Sequence, residues 1–415
     1  MPRADEAAWS RSATLPATRV SFSGVTYAQM LDRARALAPL IAARAEECEK
    51  LRRMPDDTER DLHRTGLFRM VQPARAGGAD LDVGILVDTC AVIARVCPST
   101  AWNLGNLSSH HWMLGYFPPQ AQDEIWTLSP DTLIATSLAF PAGRGRKVDG
   151  GYEVTGRWPL SSGVDNSDWN MLAFMVRERD DGPPVDQRFA LVHRSQYQII
   201  DTWHAVGLSG TGSKDVAVER LFVPEYRSTT AWAMNGKPHP GSAVNHQSPL
   251  LRLPMLALGP FVLSGVMLGC AQGAYEITVG AARKRNATTT GQPVGASQAV
   301  QIKVAEASAR IDAAEMIMRA ACSHAMAVAR AEREPTHDDK LRYRRDAAFS
   351  VRLCLEAVDI LMNVAGSSGL YMSNGMQRLF RDAHAANAHV MFSPDLQGSL
   401  FGQHALGIAG PPPLL

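Results

Sequence analysis

The pattern of apolar residues predicts an α+β fold in three parts: an N-terminal helical domain, a central antiparallel β domain and a C-terminal four-helix bundle. Three observations carry this. Apolar residues spaced three and four apart run from Thr26 to about Leu128, give way after Pro130 to short alternating runs, and return from about Pro254. The 415 residues exceed one ordinary domain. An apolar fraction of 46% beside 20% charged residues is enough for a large core.

Residues 1–25 are polar and expected to be irregular. The helical domain, residues 26–130, shows Met30, Leu31, Ala34, Leu37, Leu40 and Ile41 at helical spacing, and Leu81 to Cys97 repeats the pattern. Pro55 is expected at the first position of a short helix that Thr65-Gly66 closes. The β domain, residues 131–230, is read from runs such as LIATSLAF, GYEVTGRWPL, DWNMLAFMV and KDVAVERLFV. Turns are expected at Asp149-Gly150-Gly151 and at Asp180-Asp181-Gly182-Pro183-Pro184. A loop rich in Gly, Pro, Ser and Asn (Asn235 to Pro249) leads to the bundle, residues 250–415. Ser297–Ala331 and His337–Ala365 are its long amphipathic stretches, and a last helix carries Arg381, Asp382, His384 and His389.

A net charge of +1 argues against nucleic-acid or membrane-surface partners, which need a clustered basic excess, and suits a small organic substrate. The six cysteines are scattered with no C-x-x-C pair. The first 19 residues hold no signal-peptide core, and no run of about 18 apolar residues appears, so a cytoplasmic protein is expected. Twelve histidines form no metal-binding spacing; His110 and His111 are adjacent and do not share a helix face, so no metal is expected. Gly143-Arg144-Gly145-Arg146 lacks the strand–loop–helix context of a phosphate loop, and no G-x-G-x-x-G unit for a nicotinamide cofactor is evident.

Three motifs follow one another in the chain: GYEVTGRWPLSSG (151–163), GLSGTGSKDVAVERLFVP (207–224) and RLFRDAHAANAH (378–389). Together they resemble the acyl-CoA dehydrogenase superfamily, which implies the fold above. The parent activity needs a carboxylate base, a Glu beyond the Arg-Asp helix or one just before Arg252. Here AHAANAHVMFSPDLQG contains no Glu and the other position is Leu251. What stands there instead is histidine, and the chain resembles the monooxygenase branch, the oxygenase components of two-component flavin-dependent enzymes such as 4-hydroxyphenylacetate, steroid-phenol, dibenzothiophene and aromatic-polyketide hydroxylases. That resemblance implies reduced FMN or FAD delivered by a separate flavin reductase, O2 trapped as a C4a-hydroperoxyflavin, hydroxylation of a small phenolic, indolic or polyketide substrate, and a homotetramer.

By the same resemblance Ser162 is the candidate for the flavin N5 contact, with Ser161 as fallback; each is otherwise a turn serine. Trp158 is expected to cover a flavin face unless it is plain β-domain core. His389 is expected near the flavin C4a, with His384 as competitor on roughly the opposite helix face. His111, in a helix whose polar residues suggest a cavity wall, is expected to meet the substrate and to remove or orient its proton, or else to be a satisfied interface histidine. Ser137 on the first strand is assigned to flavin and substrate. Arg252 is assigned to the anionic reduced flavin, the peroxide region or an acidic substrate, and Arg283 with Arg285 to a neighbouring subunit's flavin phosphate. Each of these arginines also has an ordinary surface reading. Three other readings stay open: an acyl-CoA dehydrogenase or oxidase with a non-standard base, an N- or S-oxygenase, and a non-catalytic flavin-binding protein.

Overall fold

The computed structural model describes residues 20–179, 182–288 and 291–408. Most of the expected irregular segment 1–25, and Asp180-Asp181 of one expected turn, lie outside the described residues.

Six helices come first: α1 (Tyr27–Ala43), α2 (Ala45–Leu51), α3 (Asp56–Thr65), α4 (Gly84–Ala94), α5 (Pro98–Leu114) and α6 (Pro119–Leu128). Thr26 starts α1 through a capping box with Gln29, which satisfies backbone donors that a first turn leaves free. Pro55 stands one position earlier than expected, as the cap of α3, where its extended backbone angles fit and its missing N–H costs nothing. Gly66 ends that helix in the left-handed region.

The strands are β1 (Ile134–Ser137), β2 (Gly143–Val148), β3 (Gly151–Ser161), β4 (Trp169–Arg177), β5 (Pro184–His193), β6 (Gln198–Ile200), β7 (Lys214–Pro224) and β8 (Ser228–Thr230). They form one sheet in the order β6-β7-β3-β2-β4-β5-β8, with β1 beside β4. The sheet is mixed rather than wholly antiparallel. Both β1 and β2 run parallel to β4, with Ser137 opposite Leu172 and Arg144 opposite Met175. They act as two pieces of one line along β4, interrupted by a tight turn at Phe140–Ala142. This sheet has a small core of its own, built from Val154, Trp158, Phe174 and Val216.

After α7 (Ser242–Asn245) the chain forms α8 (Met255–Ala282), α9 (Gln298–Arg330), α10 (His337–Ala365), α11 (Gly375–Asn387) and α12 (Pro394–Ala405). Helix α8 is long and apolar enough to cross a membrane, yet 89% of its apolar window is buried among the other helices, so it serves as the core of the bundle. Helix α5 packs on it closely at Gly105, where a Cβ would stand 2.6 Å from the carbonyl oxygen of Val262. That contact fixes the rotation of α5, and with it the direction in which each of its polar side chains points.

Candidate active site

The site is built around Trp102, on the face of α5 between the sheet and the bundle. Its indole Nε1–H donates to Ser162 Oγ at 3.1 Å. Its ring lies edge-on to His389, with centroids 5.8 Å apart. One side chain thus bridges the end of β3 and the end of α11, segments that are more than two hundred residues apart in the chain.

Ser162 reaches Trp102 because β3 ends irregularly. Leu160 and Gly163 both take positive φ, +61° and +73°. This conformation is costly for leucine and natural for glycine, and it turns consecutive side chains apart. Ser161 is fully buried, its Oγ accepting from Asn170 Nδ2 at 2.9 Å inside the sheet. Ser162 is half-exposed and faces α5. Ser137 Oγ donates to the carbonyl of Pro159 at 2.7 Å, tying β1 to the start of the same turn.

His389 caps the turn after α11, and its Nδ1 accepts from the backbone N–H of Met391 at 3.3 Å. The ring proton is therefore on Nε2. Burial pulls its pKa down to about 4, so near neutral pH the ring is an uncharged donor. The competing His384 is exposed on the other side of α11 and pairs with Asp359 of α10 at 2.8 Å.

The structure places the remaining candidates as follows. His111 follows Trp102 by nine residues, which at about 100° per residue puts it on the opposite face of α5. It points into the helical domain, where its Nδ1 accepts from Gln72 Nε2 and Trp126 Nε1, both at 3.2 Å. The histidine on the β-domain side is His110, whose Nδ1 is 2.5 Å from the carbonyl of Ile134 on β1. A carbonyl only accepts, so the proton sits on Nδ1 and the Nε2 lone pair is free; burial lowers this pKa to about 4. Trp158 is completely buried in the sheet's own core and donates to the carbonyl of Ala173, because the glycines Gly143 and Gly156 leave room for its ring there. Arg252 is turned to the surface, where it binds the carbonyl of His246 and the carboxylate of Glu332, both at 2.9 Å. Arg283 is exposed at the end of α8, while Arg285 lines a groove of about 700 Å³ with Ser297, Gly366 and Ser368. Arg285 there holds the end of α10 through the carbonyls of Ala365 and Val364.

Sequence reasoning missed Trp102, His110, Thr211 and Ser213. A helical projection of α5 would have separated His110 from His111. The two hydroxyls stand in GLSGTGSKD, which marks a loop but not what the loop touches.

The donor set fits a planar heteroaromatic cofactor. Ser162 is half-exposed, His389 is a neutral donor, and the buried Oδ1 of Asn103, next to Trp102, has no partner. Among the described residues, the hydrogen bonds and ring contacts of Ser162, Trp102 and His389 involve no Asp or Glu. The one buried carboxylate of α11, Asp382, is committed to the backbone N–H of Leu208 at 2.6 Å.

Residues 261–394 match the acyl-CoA dehydrogenase C-terminal domain family. The chain is 36% identical over 379 residues to the oxygenase subunit HsaA of a flavin-dependent monooxygenase from Rhodococcus jostii, covering 91% of this chain and 98% of that one. It is also 36% identical to the oxygenase component of an FADH2-dependent resorcinol hydroxylase from a Rhizobium species, covering 92% and 95%. The chain belongs to this family: it is the oxygenase component of a two-component flavin-dependent monooxygenase. Solved structures agree. The 3-HSA hydroxylase of a Rhodococcus species superposes with a TM-score of 0.87 at 34% identity over 93% of this chain and 99% of that one. XiaF from a Streptomyces species, crystallised with FADH2, gives 0.87 at 29% over 93% and 96%. The oxygenase is a flavoprotein enzyme with the acyl-CoA dehydrogenase fold, and its cofactor is reduced flavin supplied from outside the chain.

Proposed function

We propose that this oxygenase hydroxylates an electron-rich aromatic ring, of phenolic, indolic or polyketide type, held beside Trp102 between the sheet and the bundle. What supports this reading is the meeting of Ser162 and His389 on Trp102, where among the described residues their hydrogen bonds and ring contacts involve no carboxylate. An acyl-CoA dehydrogenase would need a base there. Relatives named for resorcinol, p-hydroxyphenylacetate and indole-3-acetate all carry oxygen or nitrogen that feeds electrons into a ring.

Bound reduced flavin supplies the electrons that activate O2 and deliver one oxygen atom to the substrate. Ser162 holds the N5 edge of the cofactor. His389 offers its neutral Nε2–H and cannot readily become a cation, because its burial disfavours charge. His110, with Nδ1–H spent on Ile134, presents Nε2 as an acceptor able to take or orient the substrate's O–H or N–H proton. Ser137 steadies the Pro159 carbonyl at the start of the turn that carries Ser162. Arg285 and its groove are assigned to the flavin phosphate. Exposed Leu370, Tyr371, Met372 and Val390 are suited to bury against other copies in a homotetramer.

The test is reconstitution with a separate flavin reductase, NADH and a panel of phenols and indoles under 18O2. Incorporation of one labelled oxygen into an aromatic product is expected. Flavin reduction by an acyl-CoA thioester in place of hydroxylation would overturn the proposal.

A further inference from the structure

Ser162 is the first member of a chain of hydroxyls leading away from Trp102. Its Oγ is 2.7 Å from Ser213 Oγ. Ser213 Oγ is 2.7 Å from Thr211 Oγ1, and Thr211 Oγ1 is 2.8 Å from the carbonyl oxygen of Leu208. Ser213 and Thr211 are buried.

Each hydroxyl owns one proton, and two oxygens this close repel unless a proton lies between them. A carbonyl has none to give, so the proton on the last link belongs to Thr211. This holds although the Leu208 carbonyl also accepts from Trp203 Nε1 and from the Thr211 backbone N–H, each at 3.0 Å. Those two N–H groups already donate to the carbonyl and supply no proton to the hydroxyl oxygen. With Thr211's proton committed, the next link must be donated by Ser213, and the one after it by Ser162. Trp102 Nε1–H then donates to Ser162 Oγ from the other side. Ser162 is left with a free lone pair and no free proton.

We infer that the Ser162–Ser213–Thr211 chain, ending on the Leu208 carbonyl, turns Ser162 into an obligate acceptor toward the cleft. Ser213 and Thr211 are thereby positioning residues that make the site choose reduced over oxidised flavin. The inference rests on the reading that Ser162 meets flavin N5. Reduced flavin carries N–H at N5, which an acceptor welcomes. Oxidised flavin carries a lone pair there, which faces the lone pair of Ser162. The chain also ends on a carbonyl, a very weak base, so Ser162 can hold a hydrogen bond from N5–H without a route to pass its proton onward. The arrangement suits an enzyme that must take reduced flavin from another protein and release it oxidised.

The experiment measures Kd for reduced FMN anaerobically and for oxidised FMN in air, in the wild-type protein and in Ser162→Ala, Ser213→Ala, Thr211→Val and Thr211→Ser. The ratio of oxidised to reduced Kd is the readout. Loss of one well-placed hydrogen bond predicts a fall of about tenfold in that ratio for Ser213→Ala and Thr211→Val. It should come partly from tighter oxidised binding as Ser162 becomes free to donate. Thr211→Ser, which keeps the hydroxyl, should keep the wild-type ratio. An unchanged ratio in Ser162→Ala would overturn the assignment of Ser162 to N5 itself. A lowered ratio in Ser162→Ala with an unchanged one in Ser213→Ala and Thr211→Val would overturn the relay alone. Equal weakening of both flavin forms in those two variants would likewise overturn it, as the mark of a merely structural loop.

Discussion

The two faces of helix α5 carry buried polar clusters of opposite character. On the face turned into the helical domain, Arg69 pairs with Asp131 at 3.2 Å and donates through Nε to Gln72, which reaches on to His111. Trp126 closes the group and Arg75 lies over its ring. On the face turned to the sheet and α11 the linked side chains are all neutral: Trp102, Ser162, Ser213, Thr211 and His389, with His110 on the side of β1. The first cluster contains formal charge that would be very costly if exposed to low dielectric alone, so its members are bonded to one another and hold helices together. The second is made of neutral groups that can afford a free lone pair or N–H. The charged network reads as a structural joint, although His111 Nε2 within it is buried without a hydrogen-bond partner, and the neutral network is the candidate site.

The largest effect expected from breaking this contrast is on stability. Asp131→Ala leaves Arg69 buried without its carboxylate and should cost about 3–5 kcal/mol in urea unfolding. A loss below about 1 kcal/mol would show that the joint is solvated. The next is catalytic. His110→Asn should lower kcat/KM for hydroxylation by about a hundredfold, the usual scale for a lost proton-handling group. His111→Asn should change kcat/KM less than threefold while costing about 1–3 kcal/mol of stability through its two donors. The opposite ranking would return the substrate role to His111.

Acid should separate the clusters from the rest of the fold. His63, His110, His111 and His389 are held neutral by burial, with pKa values near 4, 4, 3 and 4. In the unfolded chain they titrate near 6.5. Between about pH 6.5 and 4 the unfolded state therefore binds more protons, and stability falls as pH falls. Asp382 acts in the other sense. Burial raises its carboxyl to about 7, so between about 7 and 4 it takes up a proton in the folded state and partly offsets the loss. A melting temperature that declines from pH 6.5 to 4.5, and declines more steeply in Asp382→Asn, is the expected record. A flat profile would mean that these rings are hydrated. The smallest effect belongs to Arg283→Ala, which should stay within about 0.5 kcal/mol of wild type because the side chain is exposed.

Much of this protein is decided locally. The helix–sheet–helix order follows from a period of apolar residues that changes near Pro130 and again near Pro254, since each period can bury only one kind of face. The capped start of α1 and the glycine stop of α3 are written in neighbouring residues. The chemistry that relatives perform was also readable, from motifs whose residues lie together and from a missing glutamate after Asp382. Direction was not. Whether Ser161 or Ser162 faces α5 depends on a positive φ at Leu160, and whether His110 or His111 faces β1 depends on how Gly105 lets α5 settle against α8. Trp158 could be wall or core until the sheet closed around it. Arg252 could serve a cofactor until Glu332, eighty residues away in sequence, was found beside it. A side chain's identity is a local fact, but its partners are set by contacts between distant segments, and only the packed chain brings those segments together.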